Sequence, residues 1–164
     1  MARQNPFDLL ASGKISWDKW RKEFPDVQAS EPDLHKADLH GASLHEADLH
    51  GADLTEANLQ DADLSEANFC EADLRNANLQ NANLSGAKLM KARLNWTDLR
   101  NADLSRANLA GADMSGTDLR GANLDGAILD KTKFDELAMS RITLSAEDLN
   151  KVDVRRSMRS ETKV

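Results

Sequence analysis

Residues 52–66 read Ala52-Asp53-Leu54-Thr55-Glu56-Ala57-Asn58-Leu59-Gln60-Asp61-Ala62-Asp63-Leu64-Ser65-Glu66, three passes through one five-residue pattern. Working outward, the phase holds from Leu34 to Phe134. Leu sits at the centre of each unit except where Phe69, Met114 and Phe134 replace it, giving 21 centres without a slip. Two residues before the centre stands Ala in 17 units, Thr in three (Thr97, Thr117, Thr132) and Pro32 in one. One residue before it stands Asp or Asn in 16 of the 21. Repetition on this scale decides the fold ahead of any local propensity.

A period of five suits no straight element. On an α-helix successive Leu would advance by about 140° and smear around the cylinder instead of forming a stripe. On a straight strand five is odd, so successive Leu would alternate faces. Only a chain that turns in every unit keeps all the Leu inside. Ala and Leu, two apart, then share an inward strand face while the residue between them points out. The next two residues make the corner, where Gly41, Gly51, Gly86, Gly111, Gly116, Gly121 and Gly126 fall. The expected core is a column of centres, among them Leu39, Leu59, Phe69, Leu79, Leu99, Met114 and Leu119, with small slots such as Ala77 beside them.

Ala-Asp-Leu-His-Gly, Ala-Asn-Leu-Gln-Asp and Ala-Asp-Leu-Ser-Glu resemble the A-(D/N)-L-x-x signature of the pentapeptide-repeat family, over about two thirds of the chain. The resemblance implies what periodicity alone does not: four units per coil and a β class fold, a right-handed quadrilateral β-helix of about five coils with short α-helical caps. On that reading residues 31–136 form the solenoid. Residues 1–30 form an α-helical lid carrying Trp17, Trp20 and Phe24, with Ser16 as a helix cap and Pro25 beyond. Residues 137–164 are expected to give a degenerate strand, a helix over roughly 146–157 begun at Ser145, and a disordered tail. Met139, Leu144, Leu149 and Val154 stay in phase with the Leu slots, but Glu147 falls in an Ala slot, where burial without a partner is costly.

The net charge of −7 is graded along the chain. Residues 31–81 carry twelve acids against two bases, whereas 82–136 carry eight of each. The N-terminus has no apolar targeting segment and no stretch approaches a membrane span, so a cytoplasmic, membrane-free protein is expected. One cysteine, Cys70, excludes an internal disulfide and a cysteine-based zinc site. His35, His40, His45 and His50 are spaced by five, which sends them to four different faces and prevents convergence on one ion. The carboxylates recur in ladders, Asp33, Asp53, Asp73 and Asp113 in one and Asp98 and Asp118 in another. No nucleophile with a base, phosphate loop or metal-spaced set accompanies them. No catalytic residue, cofactor or metal is expected.

The pattern breaks in one region. Cys70, Met90 and Ala110 share a column at 20-residue intervals, Lys88 and Ile128 interrupt the Asp/Asn slot beside them, and Arg93 interrupts it on the next face, with Trp96 at that face's far edge. Trp, Met and Arg are typical contact residues, so this strip is the candidate partner surface, unless the C-terminal segment folds over it. The expected role is a non-enzymatic protein-protein interaction module, bacterial and resembling cyanobacterial members, acting as a monomer or an end-to-end dimer. The alternative is a DNA mimic that modulates a type II topoisomerase (gyrase), as quinolone-resistance members of the family do. That role needs a continuously acidic rod, and acidity here is confined to the first half. Direct nucleic-acid binding conflicts with the acidic block, which repels phosphate.

Overall fold

Each five-residue unit carries five backbone N–H groups, and the structure, a computed structural model, shows where each of them goes. It describes residues 33–155 together with Lys19, Lys22 and Glu23. In the unit Ala57-Asn58-Leu59-Gln60-Asp61, the Ala57 N–H donates to the Leu54 carbonyl across the corner (3.1 Å) and that of Asn58 to Ala37 O in the preceding coil (2.9 Å). The N–H groups of Leu59 and Asp61 donate forward to Asn78 O and Gln80 O in the following coil (2.7 and 3.0 Å). The fifth, of Gln60, finds no carbonyl and donates to the Asn58 side chain, Oδ1, at 3.3 Å. The Asp/Asn slot therefore caps the one amide that the coil cannot pair, which is the reason for its recurrence.

These bonds tie every unit to the one twenty residues away. Parallel bridges run Asp33↔Asp53↔Asp73↔Arg93↔Asp113↔Lys133 on one side, and three equivalent ladders start at Asp38, Ser43 and Asp48. Four units close one coil, so the rod is four-sided. Successive coils are separated by about 4.8 Å, the spacing of hydrogen-bonded strands.

The corner is a β-turn whose third residue is left-handed. Thirteen non-glycine residues there, from Lys36 to Lys131, hold φ between 57° and 62°, and the glycines hold 64° to 76°. With the bond from Ala62 N–H to Leu59 O closing the turn (3.2 Å), this is the type II pattern. For an L-residue the conformation costs about 1 kcal/mol or more. The ladder on both sides of each corner imposes it regardless of side chain.

The centres are sealed: Leu39, Leu59, Phe69, Leu79, Leu99 and Met114 have no exposed surface, while Leu119 and Ala77 expose 1%. Full burial of each Leu is worth roughly 1.5–3 kcal/mol gross. Thr97, Thr117 and Thr132 occupy Ala slots and are equally buried. Each hydroxyl is satisfied by donating to a carbonyl one coil earlier, Leu74 O, Leu94 O and Leu109 O respectively (2.8, 3.0 and 2.9 Å).

Past Phe134 the coil changes character. Strand β1 (Lys133–Asp135) leads into helix α1 (Glu136–Met139), whose first turn is capped by Asp135 accepting from the Ala138 N–H at 2.8 Å. Helix α2 (Ala146–Leu149) is capped by Ser145, and strand β2 (Asp153–Arg155) pairs in parallel with β1, Phe134 opposite Val154. The helix expected over 146–157 is thus four residues long and gives way to a strand. The edge of the last regular coil explains this. Lys131 N–H and Thr132 O need partners, and they find Lys151 O and the Asp153 N–H at 2.8 Å each. Only extended backbone at 151–155 can supply both. Glu147, the residue that would have been buried in an Ala slot, lies exposed on α2 and pairs with Lys151 at 3.0 Å. The lid residues Trp17, Trp20 and Phe24, and residues 156–164, lie outside the described residues. Among the described residues no helix is long and apolar enough to cross a membrane.

Ala77→Leu forces a large side chain into a sealed small slot and should destabilise by about 1–3 kcal/mol. Arg100→Ala removes a partly exposed ion pair with Asp98 and should leave the melting temperature nearly unchanged. Thermal melts followed by circular dichroism separate the two, and equal melting temperatures would contradict the sealed column.

Candidate functional site

Each outward side chain belongs to a column fixed by the 20-residue ladder, so the surface can be read column by column. Most columns are self-satisfied. Asp73 receives Arg75 through a two-pronged contact and Arg93 from the next coil, with the closest bonds at 2.7 and 3.1 Å. Asp98 with Arg100 and Asp118 with Arg120 repeat the two-pronged geometry at 2.6 Å. Asn side chains bond up the column, as Asn58 Nδ2 does to Asp38 Oδ1 at 2.9 Å.

The electrostatics follow from this capping. The Arg100 guanidinium holds the Asp98 carboxyl below the usual carboxylate range, and Arg120 does the same to Asp118. The Thr55 hydroxyl lowers Asp53, and the Ser105 N–H, with its hydroxyl, lowers Asp103. Burial opposes each shift without reversing it. A folded pKa below the unfolded value of about 3.9 contributes stability that is complete above that value and is lost as pH falls through the folded one.

The histidines stand on separate faces and do not meet. His35 Nδ1 lies 2.7 Å from the Thr55 hydroxyl and His45 Nδ1 lies 2.8 Å from that of Ser65, each twenty residues along its own column. Two of the four are therefore column members and not simply solvated groups. Among the described residues no set of three or more His, Cys, Asp or Glu is placed to hold a metal ion.

The strip foreseen between Cys70 and Ile128 differs from the other columns. Met90 is 39% exposed, Ile128 45% and Trp96 63%, and Lys88 and Arg93 are exposed beside them. Cys70 and Ala110, in the same column as Met90, are half-buried and form its floor. Cys70 is a free thiol, its Sγ 3.9 Å from Lys88 O. The C-terminal segment approaches the Ile128 end only, where Ser145, Glu147 and Lys151 line a cleft with it, and leaves Met90 and Trp96 open among the described residues.

Sequence reasoning located this strip by its broken pattern but not its second property. Lys88 and Arg93 stand where an Asp or Asn would cap the amide two residues on. The N–H groups of Met90 and Asn95 accordingly have no acceptor among the described residues. Lys88 likewise has no carboxylate partner among them, whereas Lys91 pairs with Glu71 at 3.2 Å. The strip is therefore rich in donors and cations and poor in acceptors.

Trp96 is held in a demanding posture. It occupies a corner at φ 62°, and its ring lies against the next corner up, Gly116. A Cβ on Gly116 would come within 2.6 Å of indole Cδ2 and Cε3. Glycine there gives the ring its seat and leaves the other indole face to solvent.

Comparison with family models matches pentapeptide repeats, eight copies, over residues 33–69, 67–106 and 102–136. Comparison with curated proteins finds no match. Among solved structures, a pentapeptide repeat protein from the Arabidopsis thaliana thylakoid lumen is 26% identical, with 70% of each chain covered and a TM-score of 0.47. The pentapeptide repeat protein Rfr23 from the cyanobacterium Cyanothece 51142 is 39% identical over 61% of each chain, with a TM-score of 0.40. A pentapeptide repeat protein from Nostoc PCC 7120 is 36% identical over 68% of this chain and 86% of its own, at a TM-score of 0.37.

Two measurements test the site's architecture. Asp103→Ala removes a cap and should cost about 1 kcal/mol at neutral pH. Asp103→Asn keeps the acceptor, should change stability by less than about 0.5 kcal/mol, and should weaken the loss of stability below about pH 4, as read from urea midpoints across pH. Gly116→Ala should destabilise by about 1–3 kcal/mol through both its positive φ and the indole contact. In a Trp96→Gly background that cost should shrink, leaving the backbone strain, and a double-mutant cycle in thermal melts measures the difference.

Proposed function

We propose that this chain, which belongs to the pentapeptide-repeat family, is a non-enzymatic interaction module that binds a protein partner through the strip running from Lys88 and Met90 to Trp96 and Ile128. The observation that carries the reading is the coincidence of three exposed large apolar side chains with the uncapped amides of Met90, Asn95 and Asp130 and an unpaired lysine. Apolar anchors inside a rim of hydrogen-bond donors are the composition of contact surfaces. Right-handed winding, a coil count of about five, helical caps including a lid over residues 1–30, and a cytoplasmic setting belong to the same proposal.

Topoisomerase modulation by DNA mimicry is the second reading, and the acidic block at 31–81 is what favours it. A duplex mimic needs that charge along the whole rod, and the candidate strip is cationic where the mimic requires carboxylates.

Trp96→Glu should leave the melting temperature nearly unchanged, because the ring is mostly exposed. In affinity capture from the native organism followed by mass spectrometry, a partner held by the wild type should be lost on Trp96→Glu and retained on Gln80→Glu, which lies on another face. Equal recovery on all three proteins would remove the strip from the interface. Gyrase supercoiling at micromolar protein should proceed unaltered, and inhibition would favour the second reading.

A further inference from the structure

The ladder that satisfies every coil stops short on three sides of the last one. The N–H groups of Leu119, Gly121, Leu124, Gly126 and Leu129 stand where earlier coils donate to a carbonyl nineteen residues on, yet none has an acceptor among the described residues. The cause is local. Residues 136–150 form α1, a connecting segment and α2 in place of three strands, and pairing resumes only at Lys131 and β1. Between this segment and the coil runs a trench made of two adjoining clefts, 440 and 320 Å³, that share Gly126, Ser145 and Asp148. Its floor is Ala122 and Leu124, both only partly buried, and its far wall includes Ile142 and Leu144. Leu124, sealed in the equivalent position of every earlier coil, is only partly buried here.

We infer that this trench binds an extended peptide segment of a partner protein, which adds as a strand to the open end of the solenoid. The occupant's chemistry is set by what covers the same edge on every other coil. Its backbone must present carbonyls to the row of amides, which is the strand-addition mode of peptide recognition. Its side chains must place one small and one large apolar residue, two apart, over Ala122 and Leu124, as Ala-Asx-Leu does elsewhere. Asp125, exposed on the rim and without an ion-pair partner among the described residues, adds a preference for a basic residue shortly after them. A free edge of this kind invites pairing unless it is covered or interrupted, and neither lysine nor proline interrupts it between 119 and 129. The trench opens at the end of the rod and meets the partner strip only at Ile128, which lines its second cleft.

The probe is a synthetic peptide with the sequence of residues 102–109, Ala-Asp-Leu-Ser-Arg-Ala-Asn-Leu, added to the full chain. Amide hydrogen exchange read by NMR should show fast exchange at Gly121, Leu124 and Gly126 in the free protein and at least tenfold slowing on saturation with peptide. A peptide with both Leu replaced by Asp should not protect them. Thr143→Trp, at an exposed position in the trench wall, should weaken binding tenfold or more while leaving the melting temperature in place. Absence of saturable binding at millimolar peptide, or binding indifferent to Thr143→Trp, overturns the inference. Slow exchange in the free protein overturns it as well: a dependence on protein concentration would assign the trench to a second copy, and loss of protection on deleting residues 156–164 would assign it to the chain's own tail.

Discussion

Everything in this rod depends on one requirement: a coil cannot satisfy its own backbone. Of the five amides in a unit, one closes the corner, one is capped by a side chain, and three depend on the coils above and below. A single coil would therefore be unstable, and the stack holds because each layer completes the last. The sealed Leu column and the strained corners are secondary to this. The column fills the space that the ladder encloses, and the corners accept left-handed backbone because their neighbours on both sides are already paired.

The same requirement divides the molecule into positions with structural duty and positions without it. Centres, small slots and the Asp/Asn cap carry the fold, while the residue after each centre and the corner beside it look outward. Where a cap is replaced, as at Lys88 and Arg93, the ladder on either side still holds the coil, and an amide is left without its cap. At the C-terminal end the orphaned amides are a whole row, because the chain itself leaves the ladder. Both features are the same departure at different scales, one amide at a time on the side and a run of them at the end.

Much of this was legible in the residues. The unbroken phase from Leu34 to Phe134 required a turn in every unit, and the interruptions of the Asp/Asn slot at Lys88, Arg93 and Ile128 marked the strip. That four units make a coil was not legible from a period of five and came only with the family resemblance, later visible as the bridges from Asp33 to Asp53 and onward. Glu147, in an Ala slot of the sequence, is exposed on α2. Met139, Leu144 and Leu149 keep the Leu rhythm while lying on or between short helices. The length of α2 could not be read either. Asp153 and Lys151 are drawn into strand geometry by groups on Lys131 and Thr132, a demand set by the edge and not by their own propensity.

The twenty-residue register also governs how such a chain can change. Loss or gain of a whole coil would slide the distal part along the axis and leave each column's neighbours aligned. Loss of one five-residue unit would instead turn everything beyond it by a quarter of a revolution. Between Met90 and Ile128 that rotation would leave the core continuous and move Ile128 to a different side from Met90. The spatial unity of the strip therefore rests on the count of units between its members, a parity-like property of the sequence that no single side chain carries.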